Sequence, residues 1–225
     1  MYKYIQEFFS FCWYVGTSLA GLIIPDKVYN DPQSQSIVLV GGIGSSPLAF
    51  IFLQRFLEKK GFRVIIFRTS FLKNLGLQKS SMTELAKELN EFVEEKILGE
   101  FLIVGMSAGA ILSIFYLTHF NKWNSIRKFI GVSTPFYGSW LSYIFFFSKV
   151  KNEFIRNSNV LKNSIQEVQQ NKEKVILISG KWDEFVFTKR STIQGIKQLI
   201  LSHGGHAYIQ TFCKETFILL AELCH

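Results

Sequence analysis

The sequence predicts an α/β domain built on a mostly parallel central sheet with helices on both faces. Apolar runs such as "IVLVGG" (37–42) and "FLIVG" (101–105) are continuous rather than alternating, as strands covered on both faces must be. These runs alternate with stretches of helical period, the order that places crossover helices between parallel strands. With 225 residues, 48% of them hydrophobic and 23 of them Phe, the chain has enough apolar surface for one domain with a sizeable core.

Taken in order, "IVLVGG" is the first strand, and "PLAFIFLQRFLEKK" after it begins on Pro47, a good first helical residue, and stops at Gly61. "FRVIIF" reads as the second strand. Ser81 with Glu84 makes a capping-box pattern that opens the helix "MTELAKELNEFVEEKIL". "FLIVG" is the third strand, backed by "AGAILSIFYLTHF". "KFIGVS", "KVILIS" and "IKQLILS" follow as strands, and "AYIQTFCKETFILLAEL" closes the chain as a single helix. About forty residues between "KFIGVS" and "KVILIS" break the rhythm and begin with the aromatic stretch "TPFYGSWLSYIFFF". An excursion of that length is expected to form a helical, aromatic cap or lid over about 136–172, beyond the carboxyl ends of the strands where such sheets bind ligands.

Residues 1–36 read as an apolar segment and a polar linker ahead of a domain over 37–225. "FFSFCWYVGTSLAGLII" (8–24) has no charge for 17 positions, the lower edge of what crosses a bilayer as a helix. A membrane anchor is the expectation. A signal peptide cleaved near Ser18-x-Ala20, which would release a secreted or periplasmic protein, and an apolar helix packed on a cytoplasmic domain are the alternatives.

The formal charge is +8, and it is uneven: residues 37–225 carry a net +9 from 23 basic and 14 acidic groups. A basic body suits an anionic surface such as phospholipid headgroups. No nucleic-acid module or base-reading basic helix is recognisable, so nucleic acid is not an expected partner. Cys12, Cys213 and Cys224 are too few and scattered for a disulfide framework or a four-ligand zinc cluster.

In "IVGMSAGAIL" (103–112) a serine sits between glycines, after a strand and before a helix. A sharp turn there would push the hydroxyl of Ser107 into the space above the sheet, and Gly105 and Gly109 leave it room. Serine needs a base, and the base an orienting acid. Asp183, the sole aspartate after residue 31, follows a strand in "ISGKWDEFV", with Glu184 as its rival. "LSHGGHAYI" offers His206 after two glycines and His203 before them; His206 is preferred as the base, and no further ligands nearby would make the two a zinc pair. The loop "GGIGSSP" lacks the lysine of a phosphate-binding loop and sits where backbone N–H groups of Ile43 and Ala108 would converge on a developing oxyanion.

Together "IVLVGGIGSSP", "IVGMSAGA", "GKWDEFV" and "GGHAYI", with "STPFYGSW", resemble the α/β-hydrolase superfamily, and within it the small bacterial triacylglycerol lipases and esterases. The likeness covers residues 37–225. It implies the α/β-hydrolase fold and a serine carboxylic-ester hydrolase of lipid or other apolar acyl esters, with Ser107 as nucleophile, His206 as base, Asp183 as acid, and no metal or organic cofactor. Trp140, Tyr143 and Phe146 of "WLSYIFFF" would then bind the acyl chain. Two positions depart from the pattern: Gly41 stands for the usual histidine of His-Gly, and Met106 for the histidine often found before the serine. Those departures keep two other readings open, a catalytically silent membrane-tethered binding protein and a serine acyltransferase. Oligomeric state and acyl length are not legible.

Overall fold

In a computed structural model of the chain, residues 2–20, 35–42, 45–67, 81–139 and 150–225 are described. Six strands form one parallel sheet in the order β2-β1-β3-β4-β5-β6: β1 (Ser36–Val40), β2 (Arg63–Phe67), β3 (Phe101–Met106), β4 (Ile126–Val132), β5 (Val175–Gly180) and β6 (Lys197–Leu201). The order reverses between β1 and β3, which puts the crevice for a ligand above their carboxyl ends.

The continuous apolar runs divide by twos. Val38, Val40, Ile65, Phe67, Ile103 and Phe129 face one layer of core, while Ile37, Leu39, Val64, Ile66, Leu102, Val104 and Met106 face the other. Both layers are dry because helices cover them. α3 (Met82–Lys96), α4 (Ala108–His119) and α5 (Asn159–Gln170) cover the first; α2 (Ile51–Glu58), α6 (His206–Thr211) and α7 (Lys214–Cys224) cover the second. Pro47 opens a single 3-10 turn that leads into α2. The capping box at α3 forms as the pattern predicts: the N–H of Glu84 donates to Ser81 Oγ at 3.3 Å, and the N–H of Ser81 donates to Glu84 Oε2 at 2.7 Å, a device that typically adds about 1 kcal/mol to a helix start.

The structure departs from expectation in two places. The closing helix is two, α6 and α7, because Cys213 takes an extended conformation at φ −71° and ψ 105°. The break lets Phe212 turn onto Phe52, at 5.3 Å between ring centroids, while α7 runs on against α2. Within the stretch expected to form the cap, residues 150–170 are built into the domain: Phe154, Leu161 and Val168 are buried in the core beside α4. Trp140, Tyr143 and Phe146 lie outside the described residues.

α1 (Tyr2–Ala20) holds the described part of the uncharged run 8–24, and residues 21–24 lie outside the described residues. No described helix is long and apolar enough to cross a membrane. α1 packs across α6 and the turn at 47–50, with Trp13 wedged 5.5 Å from the ring of Phe52 and 5.7 Å from that of Phe212. Ser46 Oγ donates to the carbonyl of Thr17 at 2.8 Å. Its other side remains apolar and open, with Tyr4, Ile5, Phe8, Phe9, Phe11 and Val15 exposed.

Candidate active site

β3 delivers Ser107 at the centre of the sheet's carboxyl edge, and α4 starts one residue later. Ser107 sits at φ 53° and ψ −126°, a conformation a side chain adopts only under strain. Neighbouring glycines make the turn possible. A Cβ at Gly105 would stand 2.4 Å from Ala110 Cα, and one at Gly109 would stand 2.2 Å from the carbonyl of Val40. The small residues of "GMSAGA" therefore let α4 sit directly on β1 and β3, and the serine hydroxyl is forced outward. The N–H of Ser107 donates to the carbonyl of Val132 at 2.8 Å, fixing the turn to β4.

His206 is the first residue of α6, and its Nε2 lies 3.0 Å from Ser107 Oγ. Its Nδ1 lies 3.0 and 2.9 Å from the two oxygens of Asp183. Asp183 is 3% exposed, and its Oδ1 also accepts the N–H groups of Phe185 at 3.1 Å and Val186 at 2.7 Å. A carboxylate held on that side places the imidazole proton on Nδ1 and leaves the Nε2 lone pair facing the hydroxyl. Burial disfavours the imidazolium, but the Asp183 carboxylate outweighs it, with Glu184 and Glu7 adding to the pull, and the pKa of His206 stands above its ordinary value. Phe185 closes over the imidazole edge-on, 5.5 Å between centroids.

The rival residues go elsewhere. Glu184 turns away from the imidazole ring toward Glu7 of α1, and burial together with Glu7 pushes its carboxyl up to about 8. His203 is exposed and pairs with Ser202 Oγ at 2.7 Å. Residues 135–139 are pinned to the acid loop, since Ser139 Oγ donates to the carbonyl of Phe185 at 2.8 Å.

Of the two expected oxyanion donors, Ile43 lies outside the described residues. Ala108 opens α4, where the first N–H groups of a helix have no partner within it. Gly42 stands against the serine: a Cβ there would be 3.0 Å from Ser107 Cβ. The loop has no space for a histidine at position 41, where a Cβ would stand 2.1 Å from Ser45 Oγ and 2.8 Å from Phe50. Met106 is fully buried and packs in the core on the α2 side of the sheet. Sequence reasoning missed Glu7, Phe11 and Phe185. The one available signal was Glu7 itself, an acid standing immediately before 17 uncharged residues.

Fold and neighbours agree: the chain has the α/β-hydrolase fold. It is similar to a carboxylesterase from the ammonia-oxidising thaumarchaeon Nitrososphaera gargensis, with a TM-score of 0.66 and 18% identity over 88% of this chain and 92% of that one. It is also similar to the mature lipase BlEst2 of Bacillus licheniformis, at a TM-score of 0.65 and 17% identity over 87% of this chain and 96% of the lipase. A third likeness is to MGS-MChE2, an α/β-hydrolase enzyme from the sediment metagenome of the Mar Chica lagoon, Morocco, at 0.66 and 19% over 88% and 97%. No protein-family model matches the chain, and no curated protein matches its sequence significantly.

Proposed function

We propose that the chain is a serine carboxylic-ester hydrolase acting on lipid or other apolar acyl esters. The observation that carries this reading is the unbroken line from Ser107 Oγ through the His206 ring to Asp183, with every link at 2.9–3.0 Å. In the forward step His206 Nε2 removes the hydroxyl proton as Ser107 Oγ bonds to the ester carbonyl carbon. Asp183 holds the ring in the tautomer this needs and stabilises the imidazolium. Collapse of the tetrahedral intermediate expels the alcohol, which takes its proton from His206. Water then attacks the acyl-serine by the same route in reverse. The N–H of Ala108 is assigned to the oxyanion, with Ile43 as its partner.

The apolar substrate class is supported by the surface at the acid loop, where Phe11, Tyr137, Trp182 and Phe187 are exposed. Membrane contact follows in a form other than a span: α1, docked by one side, would lay Tyr4, Phe8 and Val15 against a lipid surface, and the basic body favours anionic headgroups. On this reading the protein sits peripherally at a membrane.

A fluorophosphonate probe tests the nucleophile. It is expected to label one serine, located at Ser107 by peptide mass, and labelling that survives Ser107→Ala defeats the reading. A folded protein that never labels favours the silent binding protein. Product analysis with an alcohol acceptor separates hydrolysis from acyl transfer.

A further inference from the structure

α1 reaches the histidine helix at a charged point. Glu7 Oε1 accepts the N–H of Ala207 at 2.6 Å and its Oε2 that of Tyr208 at 3.1 Å, while Glu184 Oε2 takes the N–H of His206 at 3.4 Å. The first N–H groups of a helix have no internal acceptor, and the cap residue of α6 is Gly205, which has no side chain to offer. Two carboxyls from distant segments fill that role. They also explain the glycine: a Cβ at 205 would stand 2.5 Å from Glu7 Cδ and Oε2 and 2.6 Å from Glu184 Oε2.

The two carboxyls stand side by side, since a Cβ at Gly205 would meet an oxygen of each, and the neighbouring Glu7 helps to raise the pKa of Glu184. Ionised carboxylates only accept and repel one another, so a pair this close is favoured when Glu184 keeps its proton. We propose that Glu7 and Glu184 form a paired-carboxyl clamp on the first turn of α6, which makes Glu7 a positioning residue for His206 and α1 a working part of the site. The proposal rests on the triad reading above. The ionisable groups facing the pair are Asp183 from the acid loop and His206 from α6; Lys3 and Lys181 stand over the ring of Trp182 beside them, at 4.6 and 5.9 Å.

The direction of the pH effect follows from the pair. Burial and the neighbouring Glu7 push Glu184 up to about 8, so Glu184 holds its proton at neutral pH and loses it as pH rises through that value. Two adjacent carboxylates then repel and the clamp opens. Displacing the start of α6 moves the imidazole that begins it, and a misplacement of about 1 Å can lower turnover on the order of a hundredfold. Glu184→Gln keeps a hydrogen-bond donor toward Glu7 without a proton to lose. Glu7→Ala removes the clamp altogether.

The test uses the full chain with p-nitrophenyl butyrate, and in parallel follows the backbone amide resonances of Ala207 and Tyr208 by NMR. Those two resonances are expected to titrate near pH 8 in the wild type and to stay flat in Glu184→Gln. kcat is expected to fall above pH 8 in the wild type and to hold in Glu184→Gln. In Glu7→Ala it should be lower by roughly ten- to a hundredfold with KM within about twofold. Amides that do not titrate in the wild type, or a folded Glu7→Ala with wild-type kcat and pH profile, overturn the clamp. A wild type that turns over no ester yet shows titrating amides overturns the hydrolase reading and leaves the clamp standing.

Discussion

His206 Nε2 stands 3.0 Å from Ser107 Oγ across 99 residues of chain, and the two meet because one opens and the other caps a helix at the same edge of the sheet. In the proposed mechanism Ser107→Ala removes the attacking oxygen while leaving the surrounding packing intact. Its kcat on p-nitrophenyl butyrate is expected to fall on the order of 10⁴- to 10⁶-fold, and His206→Ala to fall about as far, with the double variant no worse than either. Steady-state kinetics on the three proteins checks the non-additivity. Losses that multiply in the double variant would show that serine and histidine do not act together.

In the proposed mechanism the base must be neutral to accept a proton, so the acid limb of kcat/KM would report His206. Burial is the largest influence on its pKa and lowers it, yet the surrounding acids, Asp183 foremost, together raise it above 6.5. Activity is therefore expected to be lost as pH falls through a midpoint above 6.5. Asp183→Asn should move that midpoint to lower pH and reduce kcat on the order of 10⁴-fold, since the amide holds the wrong tautomer. The stability contribution has the opposite sense. It is complete below the unfolded histidine pKa and disappears as pH rises through the folded one. Urea unfolding at a series of pH values measures it.

Strain at Ser107 is a separate matter from its chemistry. Holding a side chain at φ 53° and ψ −126° works against the fold by about 1–3 kcal/mol, and glycine adopts such angles freely. Ser107→Gly should thus be inactive yet more stable than the wild type, by about 1 kcal/mol once the lost hydrogen bond is set against the relief. A chemical-denaturation midpoint at or below that of Ser107→Ala contradicts this.

The strands were legible because burial on both faces leaves continuous apolar runs, and β1 to β6 fall within a residue or two of those runs. The serine turn was legible because close packing of α4 on β1 and β3 demands small residues at 105 and 109. The choice between Asp183 and Glu184 was not, since adjacent residues in one loop differ only in which way the turn aims them. Here the N–H groups of Phe185 and Val186 decide it. Nor does local pattern reveal a contact such as Glu7 with Ala207, which spans 200 residues. The charge-free run of 8–24 told of an apolar helix and nothing of what it packs on. The break at Cys213 involves neither Gly nor Pro, so it left no mark in the sequence.

Position 41 shows why the loop after β1 lacks the histidine common in the lipases the sequence resembles. A Cβ there would meet Ser45 Oγ at 2.1 Å and Phe50 at 2.8 Å, and Phe50 is buried beneath α1. Gly41→His is expected to destabilise the protein by about 1–3 kcal/mol, in the range of other overpacked sites. Adding Ser45→Gly should recover part of that loss. Thermal unfolding of the single and double variants checks the order.

The exposed side of α1 leads to the last expectation. Tyr4 and Phe8 are one helical turn apart on it, 80% and 64% exposed. A helix lying on a bilayer gains about 1.5–3 kcal/mol for each large apolar side chain it buries. Replacing both with aspartate should lower partitioning into phosphatidylserine-containing vesicles by at least about a hundredfold, while kcat on a soluble short-chain ester is unchanged. The basic body adds an electrostatic part, so wild-type binding should weaken as salt is raised and be poorer on neutral phosphatidylcholine. Co-sedimentation measures both effects. Equal binding to neutral and anionic vesicles, or binding indifferent to the Tyr4 and Phe8 replacements, would mean that this face of the helix serves some other contact.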